Sequence, residues 1–272
     1  MELINPIDHE KFKKDLQSAE PFPYFCIDNF LDEDFANDVY EAFPTYQEAQ
    51  ELGQEFAAVN EKRKIQITDS KKFAPAMKKL HDLFASKEYT EMWSDLTGIP
   101  NLVADPELIG GGIHETNSGG HLDVHVDFNY NENNQMFRRL NILIYFNKDW
   151  KEEYGGYLDV WDKDVKKCYG EFEPKFNRAC GFLTSEESFH GVTPLTCPPH
   201  IMRKSFATYF YTKDPSTGWT GEGWTGEKHS TIFRARPDEW IKAGIQMPIE
   251  TGIRSTKKAI RSIKDTVKSI LK

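Results

Sequence analysis

Between residues 102 and 212 the chain is cut into short runs, none longer than eight residues, separated by Gly, Asn, Asp and Pro. The runs are 122–128 (LDVHVDF), 140–146 (LNILIYF), 157–161 (YLDVW), 179–184 (ACGFLT) and 205–212 (SFATYFYT). They are too short to be amphipathic helices, and their β-branched and aromatic residues suit a pleated surface. Successive side chains of a strand point to opposite faces, so runs like these must stack into layers or close on themselves to bury one face of each. A sandwich, a barrel or a jelly roll meets that demand.

The first 100 residues read as mainly helical. Asp32 is placed to cap a helix in which Phe35, Val39 and Phe43 recur every four residues, and Pro44 ends it. Phe73, Met77, Leu80 and Phe84 mark a second helix. Met92, Trp93 and Leu96 mark a third, stopped by Gly98 and Pro100. The charged stretch from Glu61 to Lys64 reads as a strand edge or a surface loop. The expected class is therefore α+β, one catalytic domain with a helical buttress over 1–100 and a β core over 101–215. Residues 216–252 form a loop segment packed on that core, rich in Gly, Pro and Trp and carrying a doubled GWTGE that starts at Gly218 and again at Gly223. Residues 253–272 place Ile253, Ile260, Ile263, Val267 and Ile270 on a heptad-like stripe, which predicts a basic amphipathic helix.

Charge narrows the partners. The formal net charge is −9. The last 20 residues hold seven Lys or Arg and one Asp, hence +6, which leaves −15 on residues 1–252. So acidic a body is a poor nucleic-acid binder. No apolar run approaches the ~20 residues that span a bilayer, and the opening MELINPIDHEKFKKDL lacks the apolar stretch of a secretory signal. Cys26, Cys168, Cys180 and Cys197 are widely spaced with no CxxC and read as reduced thiols, which fits a cytoplasmic chain. The basic tail suits a peripheral contact with the inner face of a membrane, packing on the acidic body, or a homodimer contact.

In 121–129 (HLDVHVDFN), strict alternation puts His121, Asp123, His125, Asp127 and Asn129 on one strand face. A His and an Asp two residues apart on a strand project side by side and can supply two adjacent ligands to one metal ion. A second imidazole from another strand, for which His190 is the candidate, would complete the facial triad of non-haem Fe(II) sites and leave the opposite face open. By itself an H-x-D is common, and a His before Gly is usually a loop residue.

The surrounding motifs raise its value. His125-Val126-Asp127 is followed by Arg138-Arg139-Leu140 running through Tyr145 to Trp150, and then by Gly155-Gly156-Tyr157-Leu158 with Val160-Trp161. Glu173-Pro174 to Arg178, His190-Gly191-Val192 and Arg203-Lys204-Ser205 come next. In this order the segment from about 111 to 212 resembles the Fe(II)/2-oxoglutarate-dependent dioxygenases, in their prolyl 4-hydroxylase-like branch. The resemblance implies a double-stranded β-helix (jelly-roll) core with helices packed on one sheet. It implies His125, Asp127 and His190 as iron ligands, and Arg203 as the clamp on the distal carboxylate of 2-oxoglutarate, with Ser205 opening the same strand. A guanidinium grips a carboxylate with two parallel bonds that a Lys cannot reproduce. Arg203 follows His190 by 13 residues, more than the family's usual gap, with Cys197-Pro-Pro-His200 as an inserted turn. Tyr145 stands where the family's carboxylate-binding tyrosine stands; Asn141 shares its strand face, and Leu143 and Leu158 would pack on the cosubstrate's methylenes. A structural role for Tyr145 or Asn141 stays open.

Two ambiguities remain at this level. His121-Leu122-Asp123 is a second H-x-D; 125/127 is preferred for its distance to the 138–150 segment and for the Phe128-Asn129 that follows. Arg138 and Arg139 are either substrate-facing charges or a solvated strand start. His114, Asn129 and Arg178 line the mouth by position alone. The resemblance further implies Fe(II), 2-oxoglutarate and dioxygen (O2) as requirements, with ascorbate supportive, and hydroxylation of a C–H bond with release of succinate and CO2. A prolyl residue of a protein or peptide is the first substrate to expect, and a sugar or lipid-linked glycan at a membrane surface the second. The doubled GWTGE is either a lid over substrate or a structural loop. A jelly-roll metal-binding module, or a cupin-like enzyme not using 2-oxoglutarate, is the alternative of another class. Arg203 and Tyr145 discriminate, since only a 2-oxoglutarate user needs a carboxylate clamp deep in the barrel.

Overall fold

In the computed structural model, which describes residues 3–216, 218–221, 226–239 and 242, the short runs are strands. In chain order these are β1 (Tyr24–Ile27), β2 (Gln54–Ala57), β3 (Glu61–Ile67), β4 (Val103–Ala104), β5 (Gly112–Val126), β6 (Tyr130–Asn131) and β7 (Met136–Tyr145). They continue as β8 (Leu158–Trp161), β9 (Cys168–Phe172), β10 (Arg178–Leu183), β11 (His190–Val192), β12 (Arg203–Thr212) and β13 (Ile232–Arg234). The helices are α1 (His9–Ser18), α2 (Glu33–Glu41), α3 (Tyr46–Leu52), α4 (Pro75–Ala85) and α5 (Lys87–Thr97).

The strands follow the order β1-β10-β7-β12-β5-β11-β8-β9 with antiparallel pairing throughout. β5 belongs to both halves of this path. Its residues 112–116 pair with β12, whereas its far end pairs with β11 and β13. The strand turns between these duties at Gly119-Gly120. Gly119 has φ +78°, and a Cβ on Gly120 would lie 2.4 Å from the Thr116 side chain. The path thereby curls into a barrel-like jelly roll: Leu143 on β7 and Leu158 on β8, far apart in strand order, line the same cavity.

The helix-facing side of the first half carries the main core. Leu140, Ile142, Ile144 and Phe146 alternate outward from β7, as do Phe206 and Phe210 from β12, and meet Phe84, Tyr89 and Trp93 of the helices. Trp93 is fully buried among Phe12, Phe25 and Phe30. Each such aromatic is worth roughly 1.5–3 kcal/mol on burial.

Three features of the first 100 residues differ from the sequence reading. α1, capped by Asp8, and α3, closed by a Thr45/Glu48 capping box, were not expected. α2 ends at Glu41, with Phe43 buried beyond its end. β1, β2 and β3 join the sheet, so the buttress contributes strands as well as helices, and Glu61 to Lys64 open β3. No described helix is long and apolar enough to cross a membrane. The basic stripe of 253–272 and most of the second GWTGE lie outside the described residues.

Candidate metal centre

Antiparallel pairing of β11 with β5 sets His190 directly across from His125, and Asp127 follows β5 by one residue. The three side chains offer ligand atoms that all lie within 4.8 Å of one another. His125 Nε2 is 3.5 Å from Asp127 Oδ1, and His190 Nε2 is 3.5 Å from Asp127 Oδ2. Each imidazole is fixed from behind in the same way. Nδ1 of His125 meets the Asp123 carbonyl at 2.9 Å, and Nδ1 of His190 meets the Ser188 carbonyl at 2.9 Å. A carbonyl can only accept, so Nδ1 carries the proton and Nε2 presents its lone pair to the centre. Burial and the neighbouring His125 push His190 down to about 3, which keeps it neutral and suited to coordination.

Asp127 is held as firmly. Asn141 Nδ2 donates to its Oδ2 at 2.7 Å, and Arg138 Nη2 lies 3.2 Å from the same oxygen. Arg138 Nε in turn donates to Asn141 Oδ1 at 2.6 Å. Burial works against the carboxylate's charge, yet Arg138 and the two imidazoles hold it well below the usual carboxylate range. Arg138 is thus neither solvated nor at a strand start; it is buried with its guanidinium against the Tyr209 and Phe128 rings. Asn141, expected to touch a cosubstrate, gives its donor to Asp127 and its acceptor to Arg138 while still facing the cavity.

The cavity has a volume of about 200 Å3, and Arg203, Leu143 and Leu158 form part of its wall. Arg203 is buried, and its Nε donates to the Gly156 carbonyl at 2.7 Å. A side chain at Gly156, where φ is +72°, would crowd the Arg203 stem at 3.1 Å. This explains the second glycine of the 155–158 motif; at Gly155 a Cβ would collide with the Pro194 carbonyl. Nη2 of Arg203 has no partner. The Tyr145 hydroxyl and the Ser205 hydroxyl also have none among the described residues; the two residues are directly opposed on β7 and β12 and fully buried, and neither is among the residues that line the cavity. The guanidinium lies 4.9 Å from the Tyr145 ring centre and interacts with its hydroxyl electrostatically, without a well-formed hydrogen bond. Burial raises the phenol far above its ordinary range, so it is a donor and not an anion. Orphaned buried donors around a buried cation make a site for a carboxylate.

Other expected residues go elsewhere. A bulge interrupts the register between His125 and Leu122, so alternation fails there and Leu122, not Asp123, lines the cavity. The Asp123 side chain is buried instead against Lys242 and does not line the cavity. His121 is at the cavity wall with Nε2 at 3.0 Å from the Val59 carbonyl. His114 lines the cavity, 3.1 Å from the Gly110 carbonyl. Arg178 is not among the lining residues; it forks onto Asp28, with Nη2 at 2.9 Å. Asn129 anchors the C-terminal strap through the Glu227 carbonyl at 2.7 Å and the His229 N–H at 2.9 Å.

That strap supplies residues that no motif announced. β13 pairs with β5 so that Phe233 faces His125, their rings 5.3 Å apart, and Thr231 and Phe233 enter the cavity wall. A buried pair of Arg236 and Asp159 at 2.9 Å holds its far end. Phe56, Phe128 and Tyr209 complete an aromatic rim. Tyr209 was within reach of sequence reasoning, since it continues the Arg203, Ser205, Ala207 face of β12; Phe233 and Arg236 had no local signal.

A family model described as the 2OG-Fe(II) oxygenase superfamily matches residues 111–211. No curated protein matches the sequence. Among solved structures, a prolyl hydroxylase from Trichoplax adhaerens, in complex with a hypoxia inducible factor oxygen degradation domain peptide fragment, is similar with a TM-score of 0.51 at 19% identity. The match covers 75% of this chain and 90% of that one. A Pseudomonas putida prolyl-4-hydroxylase gives a TM-score of 0.51 at 17% identity, over 76% of this chain and 100% of that one. A prolyl 4-hydroxylase from Phytophthora capsici gives 0.51 at 20% identity, over 78% and 68%. At these identities the likeness is one of fold.

Proposed function

We propose that the chain, whose residues 111–211 match the 2OG-Fe(II) oxygenase superfamily model, hydroxylates a C–H bond of its substrate, consuming 2-oxoglutarate and O2 and releasing succinate and CO2. One observation carries the reading: a His125, Asp127, His190 triad and a buried, partly unpartnered Arg203 occur at one cavity. A cupin-like metal site without a carboxylate cosubstrate has no use for Arg203 there. The donor set of two imidazoles and one carboxylate suits Fe(II). The unpaired Nη2 of Arg203 in the cavity wall suits the far carboxylate of 2-oxoglutarate, with the buried hydroxyls of Tyr145 and Ser205 as further donors and Leu143 and Leu158 beside its methylenes.

Each residue then has a defined task. His125 and His190 present Nε2 because the Asp123 and Ser188 carbonyls hold the other nitrogen. Asp127 stays ionised and oriented through Asn141 and Arg138. Arg203 fixes the cosubstrate's orientation, and the apolar barrel wall excludes water from it. If bound there, Fe(II) with 2-oxoglutarate would supply the oxygen chemistry, while the protein would position one C–H bond of the substrate beside them. The substrate proposed is a prolyl residue of a peptide. The aromatic side chains of Phe56, Phe128, Tyr209 and Phe233 in the cavity wall are an apolar setting of the kind that suits a pyrrolidine ring.

The test is succinate formation from 2-oxoglutarate with Fe(II) and ascorbate, together with a mass-spectrometric screen of peptides, glycans and lipid extracts for gain of one oxygen. His125→Ala and Asp127→Ala should abolish succinate formation, and full activity in both would remove the metal assignment. Oxygen found on a glycan or lipid and never on a prolyl residue would remove the substrate assignment alone.

A further inference from the structure

Cys26 and Cys180 lie 154 positions apart in the chain, yet β1 and β10 pair in a register that sets them directly opposite each other. Directly opposed residues of an antiparallel pair have Cα atoms about 4.5–5.5 Å apart and side chains on one face. A disulfide spans Cα separations of roughly 4.4–6.8 Å. The neighbouring pair, Tyr24 opposite Phe182, shows the same shared face, since both rings belong to one apolar cluster. The two thiols differ in environment. Cys26 is exposed on the terminal strand of the sheet, whereas Cys180 is buried against Tyr145 and Leu158. Both are free thiols in the structure. Burial, with the adjacent Cys26 thiol adding to it, pushes the Cys180 thiol well up, so Cys180 is a poor first nucleophile.

We propose that Cys26 and Cys180 form a modification site for hydrogen peroxide, in which Cys26 is oxidised first and Cys180 resolves it into an intramolecular cross-strand disulfide. In the first step the Cys26 thiolate attacks one peroxide oxygen, the O–O bond breaks, and Cys26 becomes a sulfenic acid as hydroxide leaves. In the second, the Cys180 sulfur attacks the Cys26 sulfur, the S–OH bond breaks, and water departs with the Cys180 proton. Two thiols are oxidised by two electrons, and one peroxide is reduced to two waters. The product fastens β1 across β10, the strand whose inner face packs on Tyr145. Cys168 and Cys197 have no such partner in register: Cys168 faces Trp161 on β8, and Cys197 lies outside the strands.

The test is intact-mass and peptide mapping of the reduced full-length protein after treatment with hydrogen peroxide. Loss of two hydrogen masses, with the Cys26 peptide joined to the Cys180 peptide, is the expected result, and the linked protein should melt higher than the reduced one. Cys180→Ser should leave Cys26 carrying one or more added oxygens and no link. Cys26→Ser should leave Cys180 untouched, while Cys168→Ser and Cys197→Ser should behave as wild type. Wild-type Cys26 that accumulates added oxygens without a link, or that joins a second chain, would overturn the proposal. So would a link that forms between other cysteines. None of these outcomes depends on 2-oxoglutarate turnover.

Discussion

Tyr145→Phe separates the cost of the pocket from its use. In the free protein the Tyr145 hydroxyl is fully buried beside the Arg203 guanidinium and makes no well-formed hydrogen bond to any described residue. A polar group in that state costs about 1–3 kcal/mol, and Phe keeps the ring and its packing while removing the group. The metal-free variant should therefore be more stable than wild type by about 1–2 kcal/mol. For a chain of this size that is a rise in Tm of roughly 2–8 °C. In the loaded protein the same hydroxyl donates to a carboxylate, an interaction worth about 1.5–3 kcal/mol, so 2-oxoglutarate should bind roughly 10- to 150-fold more weakly. Calorimetric melting of the metal-free protein gives the first quantity. Titration of 2-oxoglutarate into the Co(II)-loaded protein without oxygen gives the second. Opposite signs are the signature. A variant that melts lower than wild type while binding 2-oxoglutarate within twofold of it would refute the reasoning on both counts.

Two further perturbations bear on parts of the fold outside the pocket. Glu115 is fully buried with both carboxylate oxygens unpartnered, and burial pushes it from 4.5 to about 7. Above pH 4.5 the unfolded chain ionises there while the folded chain keeps its proton, so stability falls as pH rises to about 7 and then levels. At 1.36 kcal/mol per pH unit that fall is about 3 kcal/mol; Glu115→Gln should abolish it in urea unfolding at pH 4.5 and pH 8, and equal pH dependence in both proteins would refute it. Arg236→Met leaves Asp159 buried and unpaired and should cost about 3–5 kcal/mol, most of it regained in Arg236→Met/Asp159→Leu; urea midpoints that fail to recover in the double variant would show that the loss comes from packing.

The parts of the site legible in the sequence are those that period-2 geometry controls over a few residues. Alternation along β7 places Asn141, Leu143 and Tyr145 inward, and alternation along β12 places Arg203 and Ser205 inward, as the opposite faces' burial in the helix-side core shows. The same rule fails at Asp123 because one bulge shifts the phase, and a bulge leaves no mark in composition. It was silent on Phe233, on the Arg236–Asp159 pair and on the facing of Cys26 with Cys180, since each joins segments at least 70 residues apart through the closure of the barrel. Arg138 was ambiguous for another reason. A charged residue at the start of an apolar run is usually solvated, and only the placement of Asp127 decides otherwise.

The distribution of satisfied and unsatisfied groups explains how one cavity serves two kinds of ligand. Around the triad the supporting contacts are already made: Nδ1 of both imidazoles meets a carbonyl, and Asp127 Oδ2 meets Asn141 and Arg138. Such support fixes three ligands before a metal arrives, so little ordering remains to be done on binding. At Arg203 the opposite holds. One nitrogen is tied to Gly156, while Nη2 and the hydroxyls of Tyr145 and Ser205 are left without partners. A cosubstrate consumed in every turnover, as 2-oxoglutarate would be, is better served by a pocket that gains hydrogen bonds only while it is occupied. The centre that stays is held by the protein alone, and the pocket that empties carries its unpaired groups as destabilisation of the free state, which is what Tyr145→Phe would release.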